Sequence, residues 1–201
     1  MPVQDRTDLR RRLLAIAARQ SGYFSAAQAL EVGYSYPAQS YHAKRGNWLH
    51  VDRGIYRLPE WPTGPREDLV RWSLWSRDRA VVSHETALSV HELGDVDPAH
   101  VHLTVPRNFR QRNPGVVVHL AELPSRDVEE HDGFRVTTPL RSLLDVAAGE
   151  LDLDQLAQAI EEALSRGMTT RRALLERADE FGANGALRIE RALQGVERDG
   201  V

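Results

Sequence analysis

The chain has 201 residues, of which 41% are hydrophobic, and a formal net charge of −3. That length allows one large domain or two small ones, each with a buried core. Because the sequence contains no cysteine, disulfides and cysteine-ligated zinc or iron–sulfur sites are excluded. No apolar run approaches the length of a membrane span, and the charged N-terminus has no uninterrupted apolar core, so we expect a cytoplasmic protein.

Lysine is nearly absent, since Lys44 is the only one against twenty-five arginines. A P-loop requires a lysine within a glycine-rich segment, and Lys44 does not lie in one, so nucleotide binding of that kind is excluded.

The first predicted element is an amphipathic helix over residues 7–20, with leucines at helical spacing. Ser25 is a suitable N-cap for a short second helix that ends at Gly33. Ser35 caps a third helix, which has Pro37 in its first turn and ends at Gly46. Two β-prone runs follow, residues 48–51 and 55–58, joined by a tight turn. This order is typical of a winged helix-turn-helix.

The third helix is the predicted recognition helix, because a helix with hydroxyl and basic side chains on its outer face fits the major groove of DNA. Gln39 and His42 stand where such helices usually bury apolar residues. Either the helix is rotated, or these two side chains contact DNA. The DNA-contacting residues predicted on this helix are Ser35, Tyr36, Gln39, Ser40, Tyr41, Lys44 and Arg45.

The predicted wing adds Arg53 at its tip and Arg57 on its second strand. These arginines are interleaved with Ile55 and Leu58, which we expect to pack inward while the arginines face phosphate or the minor groove. Structural arginines on an exposed hairpin are the alternative.

Charge is distributed in a way that supports DNA binding by this motif. Residues 1–60 hold nine Arg or Lys against five Asp or Glu, a net charge of +4, and residues 61–201 carry −7. The basic charge therefore lies where the predicted DNA-binding motif lies.

A segment rich in Pro and Gly, residues 60–65, predicts a domain boundary. Domains are accordingly expected at 1–60, the winged helix-turn-helix, and at 61–201, a mixed α/β domain. The second domain is predicted to contain helices over 66–76 and 84–93, strands at 101–105, 116–120 and 134–137, and a helix opened by Thr138 and Pro139. From about 149 to 201 we expect a helical tail, whose third helix covers about 186–194. The predicted fold class is α+β.

Histidines in the second part raise the question of an enzyme. His84 and Glu85 begin like a zinc-protease motif, but Leu88 stands where the second histidine is needed. His102 and its neighbours lack a further ligand at metal-binding spacing. Ser83 is explained as a helix cap. We therefore predict no catalytic residue, no metal site and no cofactor.

A basic loop follows the first strand of this domain and carries Arg107, Arg110 and Arg112 around Phe109. This composition suits phosphate or an acidic protein surface, so the three arginines form a predicted partner-binding site. Solvated loop charges are the alternative.

Residues 46–59 resemble the wing that closes the N-terminal domain of AbiEi-family antitoxins. Residues 82–87, 101–106 and 136–145 are similar to that family's next domain, and the last of these includes the pattern Thr-Thr-Pro-Leu-Arg-Ser-Leu-Leu-Asp. The resemblance covers residues 10–148.

The resemblance implies a transcriptional repressor that is also an antitoxin. Its expected partners are double-stranded DNA, as inverted repeats in the promoter of its own operon, and a nucleotidyltransferase-like toxin encoded by the next gene. Whether the toxin is bound directly is left open, and self-association on DNA is compatible with this role. The alternative is a plain DNA-binding regulator whose second domain senses a ligand or dimerises. A repair-type endonuclease domain, which can follow the same front end, is not expected, because the last fifty or so residues indicate helices without a strand or lysine.

Overall fold

The computed structural model describes residues 6–64, 66–131 and 133–199. The chain divides into two compact units, one extending to Arg79 and including residues 130–134, the other made of residues 80–129 and those from 135 onward. This division comes later than the boundary expected at residue 60. The reason is that the helix Glu67–Trp75 belongs to the first unit, where Glu67 pairs with Arg57.

The first unit contains four helices and three strands within the described residues. They are α1 (Arg6–Ala18), β1 (Tyr23–Ser25), α2 (Ala26–Val32), α3 (Tyr36–Lys44), β2 (Leu49–Asp52), β3 (Ile55–Arg57) and α4 (Glu67–Trp75). The strands form an antiparallel sheet in the order β1–β3–β2. The sequence did not predict β1, which makes β3 a central strand. Leu13, Phe24, Val32, Trp48 and Leu58 are buried together as the core of this unit.

The remaining elements begin after Arg79. They are β4 (Val81–Val82), α5 (His84–His91), β5 (Val101–Val105), β6 (Val116–Leu120), β7 (Val128–His131), β8 (Phe134–Thr137), α6 (Pro139–Ala148), α7 (Leu153–Ser165), α8 (Arg171–Ala178) and α9 (Gly182–Asp199). The strands form a mixed sheet in the order β6–β5–β4–β8–β7. Strands β5, β6 and β8 have the predicted bounds. The sequence did not predict strands β4 and β7. Strand β4 has only two residues, and β7 is largely charged.

Helix α9 is longer than the helix expected over residues 186–194, because the glycines near its start do not interrupt it. Gly185 lies against α6, where an added Cβ would be 3.5 Å from Ala148 Cα. A small residue therefore lets the two helices approach closely. Within the described residues no helix is long and apolar enough to cross a membrane.

The Arg and Asp of the family-like pattern form part of a buried ion network. Asp127 is fully buried and accepts two hydrogen bonds from Arg177, at 2.7 and 2.9 Å, and one from Arg141 at 3.3 Å. Arg141 also donates to Asp145 at 2.9 Å. Bidentate pairing with Arg177 compensates for the burial of the Asp127 charge. The network thus ties α6 and α8 to the loop before β7.

Candidate nucleic-acid interface

The start of α2 is fixed by a capping box, which confirms Ser25 as its N-cap. The Ser25 hydroxyl accepts from the Gln28 backbone N–H at 3.1 Å, and Gln28 Oε1 accepts from the Ser25 N–H at 2.8 Å. Gly33 ends the helix with φ of +123°, which glycine adopts at little cost. This geometry sets the turn that leads into α3.

Helix α3 presents hydroxyl and basic side chains on one face. Tyr36 and Tyr41 are 63% and 55% exposed, and Ser40, Lys44 and Arg45 are also exposed. Their spacing of four residues places them on neighbouring turns of the same side. The guanidinium carbon of Arg45 lies 5.5 Å from the Tyr41 ring centroid. The face offers hydroxyl, ammonium and guanidinium groups, which suit base edges and phosphate oxygens.

Ser35 occupies the N-cap position of α3, but its side chain makes no capping hydrogen bond. The prediction that Ser35 is the N-cap residue is therefore confirmed, but its side chain does not make the expected hydrogen bond to the helix. Ser35 is exposed beside the first turn of α3, so its hydroxyl is oriented by neither the cap nor the core.

An aromatic cluster holds the opposite side of α3. His42 stacks on Trp48 with centroids 4.8 Å apart and an interplanar angle of 16°, and Tyr34 meets the same indole edge-on at 5.0 Å. Burial lowers the pKa of His42, which favours the neutral ring expected in a stack. His42 is therefore half-buried against Trp48.

Gln39 was predicted to contact DNA, and the structure contradicts this. The side chain is 1% exposed, and its amide donates to the carbonyls of Tyr34 at 2.9 Å and Ala26 at 3.1 Å. Ala26 is the first residue of α2 and Tyr34 lies in the turn after that helix, so Gln39 links α3 to both. The amide nitrogen is thus satisfied, while Gln39 Oε1 is buried without a hydrogen-bond partner among the described residues.

The wing places Arg53 at its tip, exposed as predicted. The turn is closed by Gly54, with φ of +70°, and by a 2.6 Å hydrogen bond from the Arg53 N–H to Asp52 Oδ1. Gly54 O accepts from the Ala26 N–H at 2.8 Å, which fixes the wing tip beside the start of α2. The structure adds exposed His50 on β2 as a further candidate contact. The sequence contained a signal for this, because His50 adjoins Val51, which is half-buried, and adjacent side chains on a strand face opposite sides.

The prediction that Arg57 faces DNA is wrong. Its side chain is 9% exposed and donates to Glu67 Oε2 at 3.1 Å and to the Trp61 carbonyl at 3.0 Å. Side chains two apart on a strand share a face, so Arg57 lies on the same inward side as Ile55. The distance of two residues from Ile55, and not the position beside Leu58, decides the face on which Arg57 lies.

The basic loop after β5 is exposed at Arg107, Arg110 and Arg112. Arg110 donates to the carbonyls of Arg107 and Phe109 at 2.9 and 3.0 Å, so it also stabilises its own loop. Phe109 is 1% exposed and anchors the loop from inside. Its ring is therefore not part of a contact surface. Binding of a partner by the three arginines stays a prediction.

A histidine cluster lies between α5 and the sheet. His84 stacks on His119 at 3.5 Å, and His102 Nδ1 lies 2.8 Å from Glu85 Oε2 and 3.2 Å from His119 Nε2. Burial is the main cause that lowers the pKa of His84 to about 3, and the neighbouring His119 is the second cause. In the parts of the chain that the structure describes, no group of three or more His, Asp or Glu side chains is arranged to hold a metal.

Ser83 is fully buried and serves a different purpose from the predicted cap. It takes the N-cap conformation of α5 without a capping bond. Its hydroxyl instead accepts from Thr104 at 2.8 Å and lies 3.0 Å from His84 Nδ1. The hydroxyl thus links α5 to the sheet.

Two family models match the chain. One, described as transcriptional regulator, AbiEi antitoxin, matches residues 11–59, and the other, described as AbiEi antitoxin C-terminal domain, matches residues 80–194. The second begins where the second compact unit begins. Comparison with curated proteins gives no match.

Among solved structures, the crystal structure of the RV2827C protein from Mycobacterium tuberculosis is similar, with a TM-score of 0.55 and 12% identity. The similarity covers 92% of this chain and 80% of that chain. At such low identity it shows a shared fold.

Proposed function

The chain belongs to the AbiEi antitoxin family, and on that basis we propose that it is an autorepressing antitoxin. In this proposal the winged helix binds inverted repeats in the promoter of the chain's own operon, and the protein counteracts a nucleotidyltransferase-like toxin from the same operon. No covalent step is required, since repression needs only occupancy of the promoter.

The DNA-binding part of this proposal rests on the exposed face of α3. Five of the seven side chains predicted on this helix, apart from Ser35 and Gln39, are exposed on its outer side: Tyr36, Ser40, Tyr41, Lys44 and Arg45. The opposite side is fixed by Gln39 and the Trp48 stack. A rigidly held helix with basic outer residues fits direct readout in the major groove. Arg53 would add a phosphate or minor-groove contact from the wing.

Replacing Lys44 and Arg45 together by alanine tests the interface. We expect affinity for the promoter fragment to fall about tenfold or more, and the slope of log affinity against log salt to become shallower by about two, because two phosphate-reaching charges are lost. Gel shifts or fluorescence anisotropy at several salt concentrations would measure both quantities.

The matched control is the Arg172→Ala/Arg191→Ala variant, which removes the same charge from exposed positions on α8 and α9. It should bind DNA like the unmodified protein. Equal weakening by the two double variants would mean that only net charge matters. Unchanged binding by the α3 variant would remove this helix from the interface.

A further inference from the structure

Strand β6 is an edge of the five-stranded sheet, with β5 on its inner side. Hydrogen bonds from Val101 N to Gly115 O and from Ala121 N to Val105 O show which residues face β5. They are the odd-numbered ones, so the backbone N–H and C=O groups of Val118 and Leu120 point away from the sheet. Within the described residues, these two have no hydrogen-bond partner on that side.

The sequence of this edge contains none of the features that usually prevent strands from pairing. It reads Val-Val-Val-His-Leu, without lysine, proline or a formal charge, and Leu120 is 46% exposed. Edge strands of soluble proteins are ordinarily protected by charges, prolines or bulges. An uncharged, regularly paired edge strand can therefore accept another strand by backbone hydrogen bonding.

We propose that β6 is a self-association surface, on which β6 of a second copy pairs antiparallel and extends the sheet across two molecules. The register centred on Val118 sets Val116 against Leu120 and Val118 against itself, on a twofold axis. The Val116 N–H already donates to Asn113 O at 3.3 Å, so the groups of Val118 and Leu120 supply the backbone bonds between the copies. The outward groups of Val118 then exchange both hydrogen bonds with their counterparts. Such an interface uses the same patch on both copies, as twofold dimers do.

The charges that flank β6 favour the antiparallel arrangement between copies. Arg112 precedes the strand and Glu122 follows it, and both are exposed. Antiparallel pairing brings the basic end of one strand to the acidic end of the other, whereas parallel pairing would place like charges together. The same arrangement covers Leu120 with Val116 of the second copy. Because the charge pattern is complementary to itself, it favours a second copy of the chain as the partner.

Cysteine trapping tests the register, because the chain has no cysteine of its own. In the proposed pair the two Val118 Cα atoms lie about 5.5 Å apart, within the range that a disulfide bridges. The full-length Val118→Cys variant should form a covalent dimer under mild oxidation in the absence of DNA. Val117→Cys, one residue away, is paired with residue 119 and should cross-link at least tenfold more slowly, as should Leu187→Cys on exposed α9.

Sedimentation velocity over a concentration series tests the association without a cross-link. Val118→Pro removes an outward N–H while leaving the bonds to β5 in place, and Leu120→Lys adds a charge to the edge. Each should weaken dimerisation at least tenfold, and Leu187→Lys should not. A chain that stays monomeric at all concentrations and shows no preference for position 118 over 117 and 187 would overturn the proposal. Because DNA is absent from both experiments, their outcome is independent of promoter binding.

Discussion

Arg53 and Arg57 are four residues apart on the same hairpin and have opposite environments. Arg53 is exposed at the turn, whereas Arg57 is buried against Glu67, the Trp61 carbonyl and the Tyr23 ring. Removing an exposed charge changes stability little, but removing one member of a buried pair leaves its partner without compensation. The same residue type therefore packs inside the protein at position 57, and at position 53 it is exposed, as the proposed contact with DNA requires.

Alanine at each arginine should separate these roles. We expect Arg57→Ala to lower the free energy of unfolding by about 2 kcal/mol, less than for a deeply buried pair because Glu67 is partly exposed, and Arg53→Ala to change it by less than about 0.5 kcal/mol. Chemical denaturation of the full chain would measure both. At temperatures where both variants are folded, Arg53→Ala should weaken DNA binding more. A fully stable Arg57→Ala variant would contradict the packing role.

His84 combines an unusual backbone with an unfavourable site for a proton. Its φ is +54°, a left-handed conformation that asparagine tolerates better than most residues. Burial, His119, His102 and Arg141 lower its pKa to about 3, and Glu85 acts in the opposite direction. Since the pKa of an unfolded histidine is about 6.5, the unfolded state binds the proton first as the pH falls.

This difference predicts a loss of stability on acidification. His84 contributes fully to the free energy of unfolding above about pH 6.5, and this contribution is lost as the pH falls towards 3. Between pH 7 and 5 the loss is about 2 kcal/mol. The lowered pKa of His119 acts in the same direction. Asp145, whose pKa burial raises to about 6, acts in the opposite direction and is common to all variants. Denaturation at several pH values should show a shallower fall for His84→Asn than for the unmodified chain. His100→Asn, at an exposed histidine, is the control, and equal slopes would contradict the prediction.

Among the elements, α5 and α7 meet at a turn that requires glycine. Gly94 has φ of +74°, and a Cβ there would lie 2.9 Å from Ala159 Cβ and 3.0 Å from Gln155 O. Its N–H donates to Glu162 Oε2 at 2.7 Å. Backbone conformation and close approach to α7 both exclude a larger residue, so this glycine positions the histidine-bearing α5 against the helical layer.

Gly94→Ala is expected to destabilise the protein through both effects. The left-handed backbone costs about 1–2 kcal/mol for a residue with a Cβ, and overpacking adds about 1–3 kcal/mol. Gly167→Ala is a matched control, because Gly167 has φ of +67° with no atom within 4 Å of an added Cβ. It should show the backbone cost alone. Thermal and chemical unfolding would compare the two, and equal losses would show that close approach to α7 is unimportant.

At the scale of the whole molecule, the basic winged helix and the acidic remainder suggest separable tasks. Residues 61–201 carry −7 against +4 for residues 1–60, and the two family models match separate segments. An acidic region is poorly suited to DNA and better suited to a basic protein. In the proposed function, the region beyond the winged helix therefore counters the toxin.

The Lys44→Ala/Arg45→Ala variant can test that separation in the intact chain. With the neighbouring toxin gene expressed from an unrelated promoter, the variant should still rescue growth, since its second unit is unchanged. An empty vector and the unmodified chain are the controls for growth. Rescue lost together with DNA binding would mean that the antitoxin role depends on the winged helix. A neighbouring gene whose product is harmless would favour the plain regulator.

The sequence alone determined the features that depend on local chemistry. The capped turn at Ser25, the strands at 101–105 and 116–120 and the family pattern all follow from short-range periodicity and capping, which neighbouring residues decide. The exposed residues of α3 were also predictable, because hydroxyl and charged side chains favour solvent. Gln39, Arg57 and Ser83 were not, since each is polar yet buried, and such burial is stable only where the folded chain supplies hydrogen-bond partners. Tertiary structure likewise decided that β1 makes β3 central and that β6 is left at the sheet edge, because strand pairing joins segments far apart in the chain.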